Sequence, residues 1–511
     1  MDAPVCGQLC AETWEQLGGQ VKREARACIV VRLVPALEGI PLNRQEAYRL
    51  KVASREIRIE AETEQGVFRA LQTLRQLAEP GKKRSVIRGC DIVDWPAFRI
   101  RGFMQDVGRT YLPVEELKRE IAVLSRFKIN VFHWHLTENQ AWRLESRIFP
   151  ALNDSVNMTR CPGKYYTLAE AKELVDFCKA HQVLLIPEID MPGHSAAFTR
   201  AFRCDMQSPE GIRILKLLLD EVCETFDVPY IHIGTDEVAF TNESFVPEMV
   251  AYVRSKGKKV ISWNPGWRYR QGEVDMTHLW SYRGKAQQGI PAIDSRFHYL
   301  NHFDTFGDIV ALYNSRIYNA DAGSDDLAGV ILAVWNDRLI KTVEENIRQN
   351  NFYPNLLAMA ERAWCGGGSE YFDGNGVILP AEDTPEYKAF ADFERRMLWH
   401  KEHTFQGYPF AYVRQTNVKW RITDAFPNAG DLKKVFPPEE ELAESYRYDG
   451  KEYSTHPATG AGIYLRHVWG TLVPAFYQHP EENHTAYAYT WVYSPREQQA
   501  GIWVEFQNYS R

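Results

Sequence analysis

Between Arg99 and about Trp364, eight short apolar runs alternate with amphipathic stretches, and this alternation limits the fold more than any other feature of the chain. The runs are RIRGFMQDVG, NVFHWHLTE, VLLIPEIDMPG, YIHIGTDEV, KVISWNP, THLWSY, AIDSRFHYL and AGVILAVWND. Segments such as PVEELKREIAVLSRFK and TLAEAKELVDFCKAHQ lie between them, with apolar residues at helical spacing. Buried-type strands alternating with helices imply an α/β fold, and eight units over this length fit a closed (β/α)8 TIM barrel. A doubly wound sheet shares the alternation, but eight units favour closure. Several runs end in polar or aromatic residues: Asp106 and Arg109, Glu138, Asp190 and His194, Asp236 and Glu237, Trp263, Asp337. Chemistry in such barrels gathers at the C-terminal ends of the strands.

The flanks read differently. Residues 1–95 predict a small α+β domain. Leu50 and Val52, then Ile57, Ile59 and Ala61, alternate with polar residues as half-buried strands do. Val67, Leu71, Leu74 and Leu77 follow at helical spacing between Gly66 and Pro80. The barrel is expected over 96–400. Over 401–511, GAGIYLRHVW, TAYAYTWVY and GIWVEF predict a β-rich accessory domain. The chain stops at NYSR straight after an expected strand, so that domain is expected to continue beyond Arg511.

Composition excludes whole classes. A 45% hydrophobic and 25% charged chain is globular rather than disordered. No run approaches the roughly 18 apolar residues of a membrane span. A net charge of 60 − 67 = −7 disfavours nucleic acid or an anionic membrane as partner. The 14 Trp, 25 Tyr and 25 Phe suit a site that stacks on sugar rings, although large cores use aromatics too. The nine cysteines show no zinc-ribbon spacing and do not suggest a disulfide scaffold. MDAPVCGQLC lacks a basic region followed by an apolar one, so no signal peptide is expected within this chain.

HIGTDEV carries the sharpest chemical signal. Adjacent residues on a regular strand point to opposite faces, so Asp236 and Glu237 share a pocket only where the backbone leaves β geometry. Crowded carboxylates are expected to push one pKa up, leaving one acid and one anion, the division of labour that glycoside cleavage needs. Strand-end acids are also often solvated or capping residues. His133 and His135 fall on one strand face and could bind a metal, with His232, His278 and Asp337 at other strands; packed barrel histidines are the alternative. Pro192-Gly193 turns His194 back towards the strand ends, in a structural role or as an orienter of the acids. Trp263, Trp280 and Trp335 close three strands and predict an aromatic cup. Arg109 could fork hydrogen bonds to neighbouring hydroxyls or pair with a rim carboxylate.

From about residue 45 to 370 these motifs together resemble glycoside hydrolase family 20, in forms seen in Bacteroides-like bacteria: DWPAFRIRGFMQDVGR, NVFHWHLTENQAWR, PEIDMPGH and HIGTDEV. The resemblance implies an exo-acting β-N-acetylhexosaminidase that releases terminal β-linked N-acetylglucosamine or N-acetylgalactosamine with retention. The substrate's acetamido oxygen is the nucleophile and forms an oxazolinium ion, an exception to the two-carboxylate scheme. It also implies roles. Glu237 is the acid and then the base, Asp236 orients the acetamido group, and Tyr299 bonds its oxygen. Arg109 grips the outer hydroxyls, His194 supports the acid, and Trp263, Trp280 and Trp335 wall the pocket. The chain departs from the pattern at Thr235 (usually Gly), Glu138 (usually Asp), Asn301 (usually Asp) and Asp337 (usually Glu). These changes touch the outer hydroxyls and the supporting carboxylate, with Asn301 and Asp337 as the expected sugar contacts. They leave open a sulfated sugar, such as 6-sulfated N-acetylglucosamine, or a non-catalytic glycan-binding protein on the same scaffold. No cofactor or metal is expected. The partner is a glycan, not nucleic acid or a membrane; the expected compartment is periplasmic or secreted, and the sequence carries no oligomeric state.

Overall fold

The structure, a computed structural model, describes residues 4–17, 28–79, 85–300, 309–369, 378–465, 475–477, 479 and 481–501. It divides into two compact units. One comprises Met1–His302, Ile317–Val343 and Met359–Gly367; the other comprises Phe303–Arg316, Glu344–Ala358 and Gly368–Arg511.

The first unit begins with the helix Pro4–Gln16, followed by a four-stranded sheet. Cys28–Leu33 runs parallel to Glu56–Ala61, which pairs antiparallel with Tyr48–Val52, and that strand pairs antiparallel with Cys90–Asp94. The period-2 pattern does its expected work: Leu50, Val52, Ile57, Ile59 and Ala61 are buried. They face the helix Glu64–Leu77, whose Val67, Leu71 and Leu74 join the same core. Thr63 caps that helix by accepting a 3.2 Å hydrogen bond from the Gly66 amide.

Eight parallel strands then close into a barrel: Ile100–Asp106, Val131–His135, Leu184–Glu188, Tyr230–His232, Lys259–Asn264, Met276–Leu279, Ala292–Asp294 and Leu327–Val334. Each pairs with its successor, and closure comes where the eighth pairs with both the first and the seventh. Met104, Val131, Ile186, Ile261, Met276, Ile293 and Ile331 fill the interior. One expectation needs correction: AIDSRFHYL is two strands, Ala292–Asp294 and Tyr299–Leu300. The Asp294 carboxylate accepts hydrogen bonds from the Arg296 amide at 3.1 Å and from its guanidinium at 2.9 Å, which turns the chain between them.

The second unit contains the helix Pro385–His403 and an antiparallel sheet ordered Ser445–Tyr448, Lys451–Thr459, Lys419–Thr423, Ala488–Tyr489. Phe426, Phe436, Tyr446 and Tyr453 form a buried aromatic cluster there. The expected strand GIWVEF lies almost wholly outside the described residues, and GAGIYLRHVW partly so. The eight cysteines with described side chains are all free. No described helix is long and apolar enough to cross a membrane.

Candidate active site

The fourth barrel strand ends at His232, and the turn after it abandons β geometry. Gly234, Thr235 and Glu237 have φ of +70°, +89° and +48°. Neighbouring side chains therefore stop alternating, and the two acids converge on one imidazole. Asp236 Oδ2 lies 3.7 Å and Glu237 Oε2 3.5 Å from His194 Nε2. Asp236 is nearly enclosed, whereas the Glu237 side chain is 55% exposed and faces the open pocket. Glycine is required at 234, since a Cβ there would come within 1.7 Å of Asp190 Oδ1.

His194 is aimed by its own backbone, at φ +47° beyond Pro192-Gly193, and by Glu138, whose Oε1 lies 2.6 Å from His194 Nδ1. Gly108 packs tightly on residue 138: a Cβ at 108 would sit 2.6 Å from Glu138 Cβ. The same Oε1 pairs with Arg109 Nη2 at 2.6 Å. Arg109 also pairs with Asp106 at 3.0 Å and with Asp337 at 3.1 Å, and its guanidinium lies over the Trp335 ring at 5.2 Å. Strands one and eight are stitched together beneath it, where the Asn336 amide donates to Asp106 Oδ2 at 3.1 Å. Arg160, from the loop after the second strand, donates to the carbonyls of Asn336 and Asp337 at 3.0 and 2.7 Å. Nothing in the sequence pattern singles out Arg160.

Crowding of Asp236 and Glu237 is expected to raise one of that pair, and Glu237 is not the raised one. Glu237 is lowered, first by its hydrogen bond to His194, against some desolvation. His194 is raised despite burial, because Asp236, Glu138 and Glu237 surround it, so it stands as an imidazolium. The raised carboxyl is Asp190, fully buried and beside the Asp236 carboxylate; desolvation first and Asp236 second push it well above the usual range. The raised carboxyl therefore lies after the third strand and not on Glu237.

The remaining candidates sort by depth. Tyr299 is half-buried, donates to the Trp280 carbonyl at 2.5 Å, and lies 6.3 Å edge-on from Trp335. Trp280 and Trp335 are half-buried at the strand ends. Trp263 is not on the rim with them: it is 1% exposed, stacks on His278 at 4.1 Å and donates its indole N–H to Glu188 Oε1 at 2.7 Å. The expected aromatic cup thus has two half-buried members and a buried third. Asn301 lies outside the described residues.

His133, Glu188 and His232 bring three ligand-type atoms within 4.8 Å of one another, as do Asp190, His194 and Asp236. In the first group both carboxylate oxygens already accept hydrogen bonds, one from Trp263 and the other 2.7 Å from His135 Nδ1. His135 is raised to about 9, burial being outweighed by Glu188, Asp106 and Asp190. Burial holds His133 down to about 4. His133 and His135 thus share Glu188 as a common partner, and Asp337 stands with Arg109 instead.

Residues 98–204 match the model of the glycosyl hydrolase family 20 catalytic domain, and residues 7–95 match that family's domain 2. Over residues 7–204 the chain is therefore similar to glycoside hydrolase family 20. It is 36% identical over 406 residues to a beta-hexosaminidase of Porphyromonas gingivalis, covering 64% of this chain and 51% of that protein. It is 35% identical over 248 residues to a Vibrio furnissii beta-hexosaminidase, covering 42% and 40%. The chain thus spans about half or less of the length of these two relatives. A Cellulomonas fimi beta-N-acetylhexosaminidase is 28% identical over 479 residues, covering 83% of this chain and 92% of that protein. Among solved structures, a Bacteroides fragilis beta-N-acetylhexosaminidase superposes with a TM-score of 0.64 at 25% identity, over 80% of this chain and 90% of that one. These family 20 matches place the barrel and the small domain before it in a common frame.

Proposed function

We propose that this chain is an exo-acting β-N-acetylhexosaminidase that cleaves terminal β-linked N-acetylglucosamine or N-acetylgalactosamine by substrate-assisted, retaining hydrolysis. The observation that carries this reading is the convergence of Asp236 and Glu237 on His194 Nε2, at 3.7 and 3.5 Å. Two acids of different exposure facing one cavity suit two tasks. Glu237, open to the pocket, is the proton donor to the leaving group and then the base that activates water. Asp236, enclosed and next to the raised Asp190, is the anion that holds the acetamido N–H and balances the oxazolinium charge. Tyr299 is in place to turn its hydroxyl from the Trp280 carbonyl to the acetamido oxygen.

Arg109, held by three carboxylates, is the candidate grip for the sugar's outer hydroxyls. Asp337 is its partner at the rim, and Asn301 is proposed at the same subsite from the sequence alone. Trp280 and Trp335 are the walls, and Trp263 braces them from below. Glu237 rests lowered in the free pocket, so the bound sugar must remove it from water to raise it into the protonated form. The domain boundaries that go with this reading are 1–95, 96–400 and 401–511, and the compartment that goes with it is the periplasm or the exterior, where such glycans are met.

Release of nitrophenol from 4-nitrophenyl N-acetyl-β-glucosaminide, inhibited by a thiazoline mimic of the oxazoline, is the expected result. Glu237→Gln is expected to lower the rate on natural leaving groups by about 10²–10⁴-fold. Full activity in both Glu237→Gln and Asp236→Asn, or a product of inverted anomeric configuration, would contradict the proposal.

A further inference from the structure

The turn that carries the acid pair holds a residue that rarely adopts its conformation. Thr235 is β-branched, yet it sits at φ +89°. A β-branched side chain at positive φ is a genuine outlier and persists only where its surroundings over-determine it. Those surroundings are a chain of hydroxyls. Thr235 Oγ1 lies 2.7 Å from Ser262 Oγ; Tyr269 donates to Ser262 Oγ at 2.8 Å, and Ser262 donates to the Gly234 carbonyl at 3.1 Å. The Trp267 amide approaches Thr235 Oγ1 at 3.5 Å. One arrangement of protons satisfies every member: Tyr269 and Thr235 both donate to Ser262, Ser262 donates to Gly234, and Thr235 accepts from Trp267. Thr235, Ser262 and Tyr269 are 1%, 0% and 5% exposed, so no water competes for these bonds.

The steric fit is equally close. A Cβ on Gly266 would stand 2.8 Å from both the carbonyl oxygen and Oγ1 of Thr235. On the other side, a Cβ on Gly193 would stand 2.5 Å from the Asp236 carbonyl. The acid turn is wedged between the loops that follow the third and fifth strands, and the Thr235 hydroxyl is its side-chain attachment to the fifth, beside the bonds that the Gly234 carbonyl accepts from Ser262 and the Trp263 amide.

We propose that the Thr235–Ser262–Tyr269 hydroxyl chain is a latch that sets the angle at which Glu237 meets the glycosidic oxygen. Thr235 is then a positioning residue, acting through the backbone of the two residues that follow it. This deepens the hexosaminidase reading and rests on it. A latch on the acid turn has a specific consequence. Its loss misaims proton delivery to the leaving group while leaving the sugar contacts of Arg109, Trp280 and Trp335 in place.

The test uses the full chain and two N-acetyl-β-glucosaminides. One carries 2,4-dinitrophenolate, which departs without a proton; the other, N,N′-diacetylchitobiose, has a sugar hydroxyl that needs one. Thr235→Val keeps the branch and deletes the hydroxyl, and Thr235→Ser keeps the hydroxyl. For Thr235→Val, kcat on the disaccharide is expected to fall tenfold or more, on the order of the lower end of general acid catalysis. KM and the dinitrophenyl rate should stay near wild type, and Thr235→Ser should restore the disaccharide rate. Equal losses on both substrates in a folded Thr235→Val, or no loss on either, would overturn the latch. Should Thr235→Val fail to fold, Tyr269→Phe, which removes the far end of the chain, must show the same leaving-group dependence. A wild-type protein that cleaves neither substrate overturns the hexosaminidase reading itself, whereas an active wild type with an indistinguishable Thr235→Val overturns the latch alone.

Discussion

Glu138 Oε1 stands 2.6 Å from His194 Nδ1, and the same oxygen stands 2.6 Å from Arg109 Nη2. One carboxylate oxygen thereby joins the imidazole that faces the acid pair to the Arg109 guanidinium. Glu138→Gln keeps the shape and removes the charge. Hydrogen bonds to charged groups contribute about 1.5–3 kcal/mol, so kcat/KM is expected to fall by about 10–100-fold. Glu138→Asp should be defective too, since a carboxylate one methylene shorter falls short of both 2.6 Å partners. Steady-state kinetics of the two variants check this, and wild-type values for either would separate Glu138 from the chemistry.

The His194 imidazolium holds Glu237 low, so removing it should move the pH profile in a known direction. In His194→Asn the Glu237 carboxyl loses the hydrogen bond from the imidazolium that holds it low, and it rises. Activity that needs protonated Glu237 is lost as pH climbs through that group's pKa. The alkaline limb of kcat/KM, which reports the free enzyme, should therefore shift to higher pH in the variant even as the rate falls. In the wild type the alkaline limb of kcat should lie above that of kcat/KM, because bound sugar removes Glu237 from water. A pH–rate series with both parameters tests the two signs.

Arg109 is enclosed by Asp106, Glu138 and Asp337. Lysine cannot reproduce this three-way fork, so Arg109→Lys should raise KM and lower kcat/KM by at least about tenfold. Arg109→Met takes the guanidinium from the buried Asp106 carboxylate and leaves Glu138 with His194. It should destabilise the fold by about 3–5 kcal/mol, read from denaturant midpoints.

Glu120 gives a stability prediction away from the site. It lies on the helix Val114–Arg126, is 0% exposed, and neither carboxyl oxygen has a hydrogen-bond partner among the described residues. Burial, with Glu116 nearby, pushes it well above the ordinary value. The unfolded chain gives up this proton near pH 4.3 while the folded chain keeps it. Its contribution to stability is therefore present in full below that pH and is lost as pH rises towards the folded pKa. Glu120→Gln should abolish that slope, and its urea midpoint should exceed the wild type's at pH 8 but not at pH 4. Equal midpoint differences at both pH values would contradict it.

The barrel is legible because parallel strands buried on both faces write themselves as near-continuous apolar runs. The candidate site is legible as far as each strand's last residues go. What cannot be read is where a residue stands once the strand has ended. Trp263 and Trp335 look alike in the chain, yet one is buried against His278 and the other is half-exposed. Thr235 gives no hint of φ +89°, the turn geometry on which the convergence of Asp236 and Glu237 depends. Glu188 was within reach, since it precedes Asp190 by two residues and His133 and His135 need a partner. Arg160 was not, because the loop that carries it has no period. Glu120 reads as one more solvated acid on an amphipathic helix, and only tertiary packing buries it.

The displacement itself is the claim to test. A series of 4-nitrophenyl β-glucosaminides with acetamido, fluoroacetamido, difluoroacetamido and trifluoroacetamido groups weakens the internal nucleophile stepwise while the leaving group stays fixed. If the substrate's own amide attacks, kcat/KM falls steeply with each fluorine, and the corresponding β-glucoside without the amide is not cleaved. Equal rates along the series, or cleavage of the glucoside as fast as the acetamido compound, would mean that a protein group or water attacks instead.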